Sequence, residues 1–280
     1  MSQSTLERSI SFLDSLDLQI GKVKFFWGEP LMKKSQIQNI IDSFPQKFSP
    51  KFYITTNSTL VDLDFINFAK KKKLRLTFSI DWNNETTSEN RKQFTWRDMT
   101  WVVVENTKKY ADFIRVNQVI TSKNAGDFFA NFKFIYDLWV RRFNFLPEYY
   151  YAWSKKWLKE LSVWFQQILD FYQLWNHFEL INLENYSPTA FFNVGLIIDT
   201  DWSLYGTNLI LSWKFEKYKK ILKIWHLETW IERDVFLPEN SADYTAKIQK
   251  LLAQEYPEET LISVKYVDLI LSNFCKKFND

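Results

Sequence analysis

Residues 24–32 read KFFWGEPLM: an apolar run ends in a Gly-Glu-Pro turn, and a helix-like segment follows it. The run predicts a buried strand, Gly28 permits a tight backbone turn, and Pro30 fixes φ. Glu29 therefore places a carboxylate at the carboxyl end of the strand, which is the edge where ligands bind in α/β sheets and barrels. Taken alone, a Gly-Glu-Pro sequence is also typical of a turn with a purely structural role. The rest of the chain must therefore show whether it forms a binding site.

The composition excludes several classes of protein. With 280 residues the chain can bury a sizeable core, as one large α/β domain or as a core with a smaller appendage. It carries 36 basic and 33 acidic residues, which makes no electrostatic case for nucleic acid as a partner. No apolar stretch approaches the roughly 18 residues of a membrane span, and no signal-peptide pattern opens the chain. We therefore expect a cytoplasmic protein with no membrane partner.

Residues able to bind metals are scarce. Cys275 is the single cysteine, and His177 and His226 are the two histidines. A disulfide framework is impossible, a cysteine-ligated cluster cannot form from this chain alone, and two scattered histidines do not indicate zinc. The sequence therefore predicts no metal site built by these residues.

Strands and helices alternate over the first 150 residues. Runs rich in β-branched and aromatic residues, separated by helical stripes, predict five strands at Lys22–Phe26, Lys51–Thr55, Leu74–Ile80, Asp112–Ile120 and Val140–Phe145. This alternation is typical of a parallel sheet with helical crossovers. The chain opens on a helix, from a capping-box pattern at Ser4–Glu7, whereas βα repeats usually begin with a strand. We therefore expect that a first strand and its loop are missing.

The second half of the chain has a different pattern. Residues 151–188 predict a helical connection that is rich in aromatic residues, and Pro188 marks its end. Residues 189–280 predict an extension of helices and one hairpin, whose turn at 199–202 joins alternating runs at Phe191–Ile198 and Ser203–Leu211. The predicted domains are thus 1–150, 151–188 and 189–280.

Taken in order, these pieces resemble the radical S-adenosylmethionine (radical SAM) superfamily, and within it the peptide-maturase and anaerobic-maturase enzymes. The resemblance covers about residues 1–150. Three stretches are similar to family motifs: 23–32 to the strand that ends in GGEP, 53–60 to the TNG-T-L strand end, and 78–82 to the SiDG strand end. Residues 114–120 and 143–148 resemble the fifth and sixth family strands.

The resemblance implies a partial (βα) barrel of the radical SAM type that lacks its first strand, with a mixed α+β C-terminal extension. In the family a Cys-x3-Cys-x2-Cys loop holds a 4Fe-4S cluster, which donates an electron to S-adenosylmethionine and so produces a 5′-deoxyadenosyl radical. The subgroup makes a peptide or protein the favoured substrate. The auxiliary-cluster cysteines of many maturases are absent, so a completed enzyme is expected to carry one cluster.

The same resemblance implies a set of cofactor-binding residues. The turn after the first strand would hold the amino group of the methionine moiety, because an ammonium needs a carboxylate and aimed carbonyl groups. Polar residues at the other strand ends would contact the ribose and the carboxylate. The full set is Trp27, Gly28, Glu29, Pro30, Asn57, Ser79, Asp81 and Asn117. No catalytic residue is assigned.

The cluster loop, however, is absent. The chain as given is not expected to bind the cluster or cleave S-adenosylmethionine, which leaves its enzymatic status open. The cysteines could lie in an upstream segment, or in a second polypeptide that completes a split enzyme. Alternatively the chain is a degenerate, non-catalytic barrel that binds a peptide or a partner protein. An aromatic platform for nucleic acid is the least favoured alternative, since the charge is balanced.

The tryptophans occupy unusual positions. The chain has 13 Trp and 5 Gly, and average glycine usage is about 7%. Trp27, Trp82 and Trp202 stand where the family motifs have glycine, and Trp139 stands where a helix C-cap glycine is expected. Turns of this kind need φ > 0, which tryptophan tolerates badly. The hypothesis is that these codons are UGA, read as glycine in the source; the alternative is a Trp-rich chain whose indoles fill a core or an aromatic patch.

Overall fold

The computed structural model describes residues 3–15, 20–25, 28–80, 100–122, 125–185, 196–227 and 238–280. The chain divides into two units. The sheet unit comprises Lys22–Gln38, Lys51–Tyr186 and Glu259–Asp280, and the hairpin unit comprises Met1–Gly21, Asn39–Pro50 and Ser187–Glu258. The domain bounds expected from the sequence, at 150 and 188, remain a prediction.

A six-stranded parallel sheet forms the sheet unit. Its strands lie side by side in chain order: β1 (Lys22–Phe25), β2 (Lys51–Thr56), β3 (Arg75–Ser79), β4 (Arg115–Ile120), β5 (Arg142–Pro147) and β6 (Glu179–Leu180). Sequential parallel strands with helical connections are the architecture of a partial (βα) barrel, and the α/β prediction is confirmed. The short strand β6 was not predicted.

Helices follow each of the first five strands. They are α2 (Lys34–Ser43), α3 (Leu63–Lys71), α4 (Thr100–Lys109), α5 (Phe128–Asp137) and α6 (Lys155–Gln173). Their ends agree with local capping chemistry. Asp62 accepts a hydrogen bond from the Phe65 amide at 2.8 Å, and Ser154 accepts one from the Trp157 amide at 3.3 Å, so each satisfies an otherwise unpaired donor in the first helical turn.

One face of the sheet is apolar and the other is polar. On the apolar face the central strands place fully buried side chains, among them Ile54, Phe78, Val116 and Phe143. The alternate positions on the same strands carry mainly polar side chains, with Val119 and Leu146 as apolar exceptions. Since successive residues of a strand point to opposite faces, this alternation makes one face a packed core and the other a wall of polar groups.

The apolar core is unusually aromatic. Phe132 of α5 packs its ring 4.8 Å from Phe143 and 5.2 Å from Phe178, measured between ring centroids. Phe165 of α6 stacks at 4.5 Å on Phe274 of the C-terminal helix α9 (Glu258–Asn279). Tilted and stacked ring pairs at these distances stabilise a core beyond the area that they bury.

The hairpin unit contains a three-stranded antiparallel sheet. Its strands are β7 (Ile197–Ile198), β8 (Ser203–Tyr205) and β9 (Lys223–His226), and its helices are α1 (Gln3–Ser15), α7 (Lys219–Leu222) and α8 (Pro238–Glu255). The predicted hairpin is present between β7 and β8. Its first predicted run lies partly outside the described residues, at 191–195.

Several predicted boundaries were wrong for local reasons. Strand β8 ends at Tyr205 instead of residue 211, because Thr207 caps a 3-10 turn by accepting from the Leu209 amide at 3.3 Å. Strand β4 starts at Arg115 instead of residue 112, because the carbonyl of Tyr110 accepts from the amides of residues 113 and 114. Residues 223–226, assigned to a helical region, form β9.

No helix among the described residues is long and apolar enough to cross a membrane.

Phe132→Ala is expected to lower the free energy of unfolding by about 3–5 kcal/mol, because it leaves a cavity where several rings meet. Urea denaturation followed by circular dichroism measures this. The control Leu174→Ala removes an exposed side chain and should change stability by less than about 0.5 kcal/mol. A loss below about 1 kcal/mol for Phe132→Ala would contradict a packed aromatic core around this ring.

Candidate functional site

Polar residues gather at the carboxyl edge of the parallel sheet. The turn Gly28–Pro30 follows β1. Thr56 is the last residue of β2 and residues 57–59 form the loop after it, and Ser79 is the last residue of β3. Asn117 lies in β4, opposite Ser79 in the parallel register. The structure therefore brings most of the predicted cofactor-binding residues to one edge of the sheet.

Glu29 connects the first two of these loops. Its Oε1 accepts hydrogen bonds from the Thr56 hydroxyl at 2.7 Å and from the Leu31 amide at 2.9 Å, and its Oε2 accepts one from the Asn57 amide at 2.8 Å. The carboxylate thus holds the turn after β1 against the turn after β2. An ionised carboxylate has about four acceptor sites, so Oε2 retains the capacity to accept from one further donor.

The turn around Glu29 has the backbone that its sequence predicts. Gly28 has φ +60, in the left-handed region that glycine enters freely. Pro30 opens a 3-10 helix, Pro30–Lys33, with Glu29 as its N-cap. Two predicted members of the site, Trp27 and Asp81, lie outside the described residues, as does Trp82.

The loop after β2 is organised by Asn57. Its Oδ1 accepts from the Thr59 amide at 3.0 Å and from the Thr59 hydroxyl at 2.8 Å, which closes a side-chain turn. Ser58 is fully buried with φ +65, and its carbonyl accepts from Asn106 Nδ2 of α4 at 2.9 Å. The loop is therefore tied on one side to Glu29 and on the other to a helix.

A row of small polar side chains crosses the polar face just inside this edge. Ser79 of β3 is in register with Asn117 of β4, and Asn117 is in register with Asn144 of β5. Asn144 Nδ2 donates to Asn117 Oδ1 at 2.8 Å. Asn144 was not among the predicted residues. Its strand alternates polar residues at 142 and 144 with phenylalanines at 143 and 145, and this pattern is a signal that could have identified it.

The opposite end of the polar face is cationic. Arg115, which is 3% exposed, donates to both carboxylate oxygens of Glu184, at 2.7 and 2.8 Å. This bidentate bond holds the pKa of Glu184 below its usual value. Lys22 Nζ and Arg115 Cζ lie 5.8 and 5.9 Å from the centroid of the Tyr53 ring. Burial, together with the charge of Lys22, lowers the pKa of Lys24. Sequence reasoning missed this group.

The described residues do not fit a cysteine-ligated cluster. Among them no group of three or more His, Cys, Asp or Glu side chains could hold a metal ion. Cys275 is buried, and burial raises the pKa of its thiol to about 11, which disfavours the thiolate that a metal requires. The donors needed for a 4Fe-4S cluster are therefore not supplied by the part of the chain that the structure describes.

The edge is chemically suited to a polar ligand with several functional groups. The Glu29 carboxylate can accept from an ammonium group, while the Ser79 hydroxyl and the amides of Asn117 and Asn144 can bond to hydroxyl or carboxylate groups. The edge also lies where α/β sheets commonly bind ligands, because the carboxyl ends of all the parallel strands meet there.

Solved structures share this fold. Native anSMEcpe with bound AdoMet and Kp18Cys peptide matches with a TM-score of 0.73 at 15% identity, over 100% of this chain and 91% of that one. Native anSMEcpe with bound AdoMet matches with a TM-score of 0.73 at 15% identity, over 99% of this chain and 87% of that one. Streptococcus suis SuiB bound to S-adenosylmethionine matches with 0.51 at 14% identity, over 74% of this chain and 54% of that one. No protein-family model and no curated protein matches. At these identities the likeness establishes the fold.

Glu29→Gln is expected to destabilise the protein by about 1–3 kcal/mol, because glutamine has one acceptor oxygen and presents an amide donor to groups that are themselves donors. Urea denaturation measures the change. The matched control Glu105→Gln alters an exposed helical residue and should be nearly neutral. Equal effects for the two variants would show that Glu29 does not join the loops.

Glu184→Gln is expected to flatten the dependence of stability on pH. The folded pKa of Glu184 is lowered from 4.5, so its contribution is present above that value and is lost as pH falls through the folded pKa. Between about pH 7 and about pH 3 the unmodified protein should therefore lose more stability than the variant.

The control for this pH series is Glu179→Gln, which removes an exposed partner 3.4 Å from Arg142. It should cost less than about 1 kcal/mol at neutral pH, because exposed ion pairs contribute little. Parallel pH profiles for the unmodified protein and Glu184→Gln would contradict the role of the bond to Arg115.

Proposed function

Because the chain has the fold of radical SAM enzymes, we propose that it is a radical SAM protein that binds S-adenosylmethionine at the carboxyl edge of its parallel sheet and acts on a peptide or protein. One observation carries the proposal. The Glu29 carboxylate joins two loops beside the polar row of Ser79, Asn117 and Asn144, at the edge where a ligand with an ammonium, a carboxylate and hydroxyls would find complementary groups.

Each residue has a proposed part in holding the cofactor. Glu29 Oε2 and the carbonyls of its turn would accept from the methionine ammonium. Ser79, Asn117 and the Asn57 loop would bond to the ribose hydroxyls and the carboxylate. Trp27 and Asp81 stay in the proposed set on sequence resemblance alone. In the family that the sequence resembles, S-adenosylmethionine supplies a 5′-deoxyadenosyl radical.

The cluster is assigned to another segment. With one cysteine, these residues do not fit a 4Fe-4S cluster. We propose that the Cys-x3-Cys-x2-Cys loop belongs either to an upstream segment of the same protein or to a second polypeptide. Because such a cluster requires reducing conditions, the proposed location is the cytoplasm.

A non-catalytic scaffold is the second candidate. The single cysteine favours it, since a degenerate barrel needs no cluster. Such a protein would bind a peptide or a partner protein and would not cleave S-adenosylmethionine. The peptide substrate class has support from anSMEcpe, whose structure holds the Kp18Cys peptide.

Binding of S-adenosylmethionine, measured by isothermal titration calorimetry, tests the site without any cluster. We expect saturable binding, and we expect Asn117→Ala to weaken it about tenfold, because a hydrogen bond to a polar ligand is lost. Asn39→Ala, an exposed residue of α2, is the control and should bind as the unmodified protein does. If neither the unmodified protein nor the control binds S-adenosylmethionine, the proposed function is wrong.

Activity separates the enzyme from the scaffold. The chain is reconstituted anaerobically with its upstream segment, or with a co-purifying partner that carries the three cysteines. Formation of 5′-deoxyadenosine supports the enzyme. Binding of S-adenosylmethionine without cleavage in either arrangement supports the scaffold.

A further inference from the structure

Three tryptophans have left-handed backbone conformations. The φ angles are +71 at Trp139, +70 at Trp175 and +69 at Trp202. In this region the Cβ atom of an L-residue crowds its own backbone, so a bulky residue there is an outlier. Among the described residues seven non-glycine positions have positive φ, and tryptophan occupies three of them; the others are Ser49, Ser58, Lys73 and Tyr150.

Two of the three tryptophans terminate helices in the way that glycine does. Trp139 is the second residue after α5, and its amide donates to the carbonyl of Tyr136 at 2.9 Å. Trp175 is the second residue after α6. The residue before it, Leu174, donates its backbone amide to the carbonyl of Asp170 at 3.2 Å. A left-handed residue at this position is the common end of a helix, and it is usually glycine because glycine has no Cβ.

The third tryptophan completes the β7–β8 hairpin. The Trp202 amide donates to the carbonyl of Asp199 at 3.1 Å, and the Asp199 amide donates to the carbonyl of Ser203 at 3.0 Å. This is a three-residue hairpin loop that ends in a left-handed residue, and glycine is the usual occupant of that position.

The side chains at the two helix ends are mostly in solvent. Trp139 is 72% exposed and Trp175 is 84% exposed. By contrast, Trp153 is 4% exposed and its Nε1 donates to the carbonyl of Glu148 at 2.9 Å. The side chain of Trp202 is half-buried: its ring centroid lies 4.3 Å from Arg8 Cζ, and its Nε1 donates to the Thr5 hydroxyl. Tryptophan is normally among the highly buried residues, so the exposed pair gains little from its indoles.

We propose that Trp139, Trp175 and Trp202 are glycines in the protein as its own cell makes it, encoded by UGA codons that are read there as glycine. Backbone geometry carries this for all three positions, and the motif positions of Trp27 and Trp82 agree with it. Trp153, which is buried and hydrogen-bonded, is a true tryptophan. The proposal stands apart from the proposed function, since it concerns the chemical identity of these residues and not the binding of a ligand.

Peptide mass spectrometry of protein isolated from the native organism tests the proposal directly. The peptides that span residues 139, 175 and 202 should have the masses calculated with glycine at these positions. The peptide that spans residue 153 should have the mass calculated with tryptophan. Tryptophan at the three left-handed positions overturns the proposal. Glycine at residue 153 as well would overturn the distinction between the two classes.

Thermal denaturation of recombinant protein provides a second test. Trp139→Gly and Trp175→Gly should each raise the Tm by about 2–4 °C, because they relieve a left-handed bulky residue. Among the described residues each loses only one exposed ring contact, with Arg141 at 5.5 Å and with His177 at 6.0 Å respectively. The matched control is Trp213→Gly, since Trp213 is 80% exposed and begins a 3-10 helix with ordinary backbone angles. The control should lower the Tm by a similar amount, because glycine costs entropy there. A lower Tm for all three variants would contradict the assignment.

Discussion

The hydrogen bonds of the Glu29 carboxylate are the interaction on which the candidate site depends. Three donors from two different loops meet on this one charged group. Hydrogen bonds to an ionised acceptor are stronger than neutral ones, and they also fix direction. The loops after β1 and β2 come from parts of the chain that are 28 residues apart, and the carboxylate holds them in one arrangement. Glu29 is therefore a structural residue first, with part of its acceptor capacity left for a ligand.

The polar face of the sheet gives this edge its setting. Parallel sheets that are buried on both faces usually have nearly continuous apolar strands. Here Lys22, Arg115 and Arg142 start the polar face on β1, β4 and β5. The next position on this face is Lys24 in β1, Asn117 in β4 and Asn144 in β5. Arg115 is compensated by Glu184, because an isolated buried guanidinium would be costly. The polar face therefore has cations at its amino end and uncharged, hydrogen-bonding amides on β4 and β5 nearer the carboxyl edge.

The backbone angles connect the fold to the identity of individual residues. The path of the chain after α5, after α6 and at the β7–β8 hairpin takes one residue with φ > 0 at each place, whatever side chain occupies it. These requirements come from the path of the chain, so they identify positions independently of any sequence motif. The hairpin turn at 199–202 shows both kinds of evidence at once, because its motif and its backbone each indicate a residue without a Cβ.

The sequence by itself determined the α/β class, the order of five parallel strands, the hairpin, and the importance of the Gly-Glu-Pro turn, because hydrophobic periodicity, turn residues and capping are local properties. It did not determine the partners of those residues. Three hydrogen-bonded pairs show this: Thr56 with Glu29, Asn144 with Asn117, and Arg115 with Glu184. They depend on the register of parallel strands and on contacts between residues 27 to 69 positions apart. Only the tertiary structure decided them, because parallel strands are joined by long crossovers and no local pattern specifies which side chains they bring together.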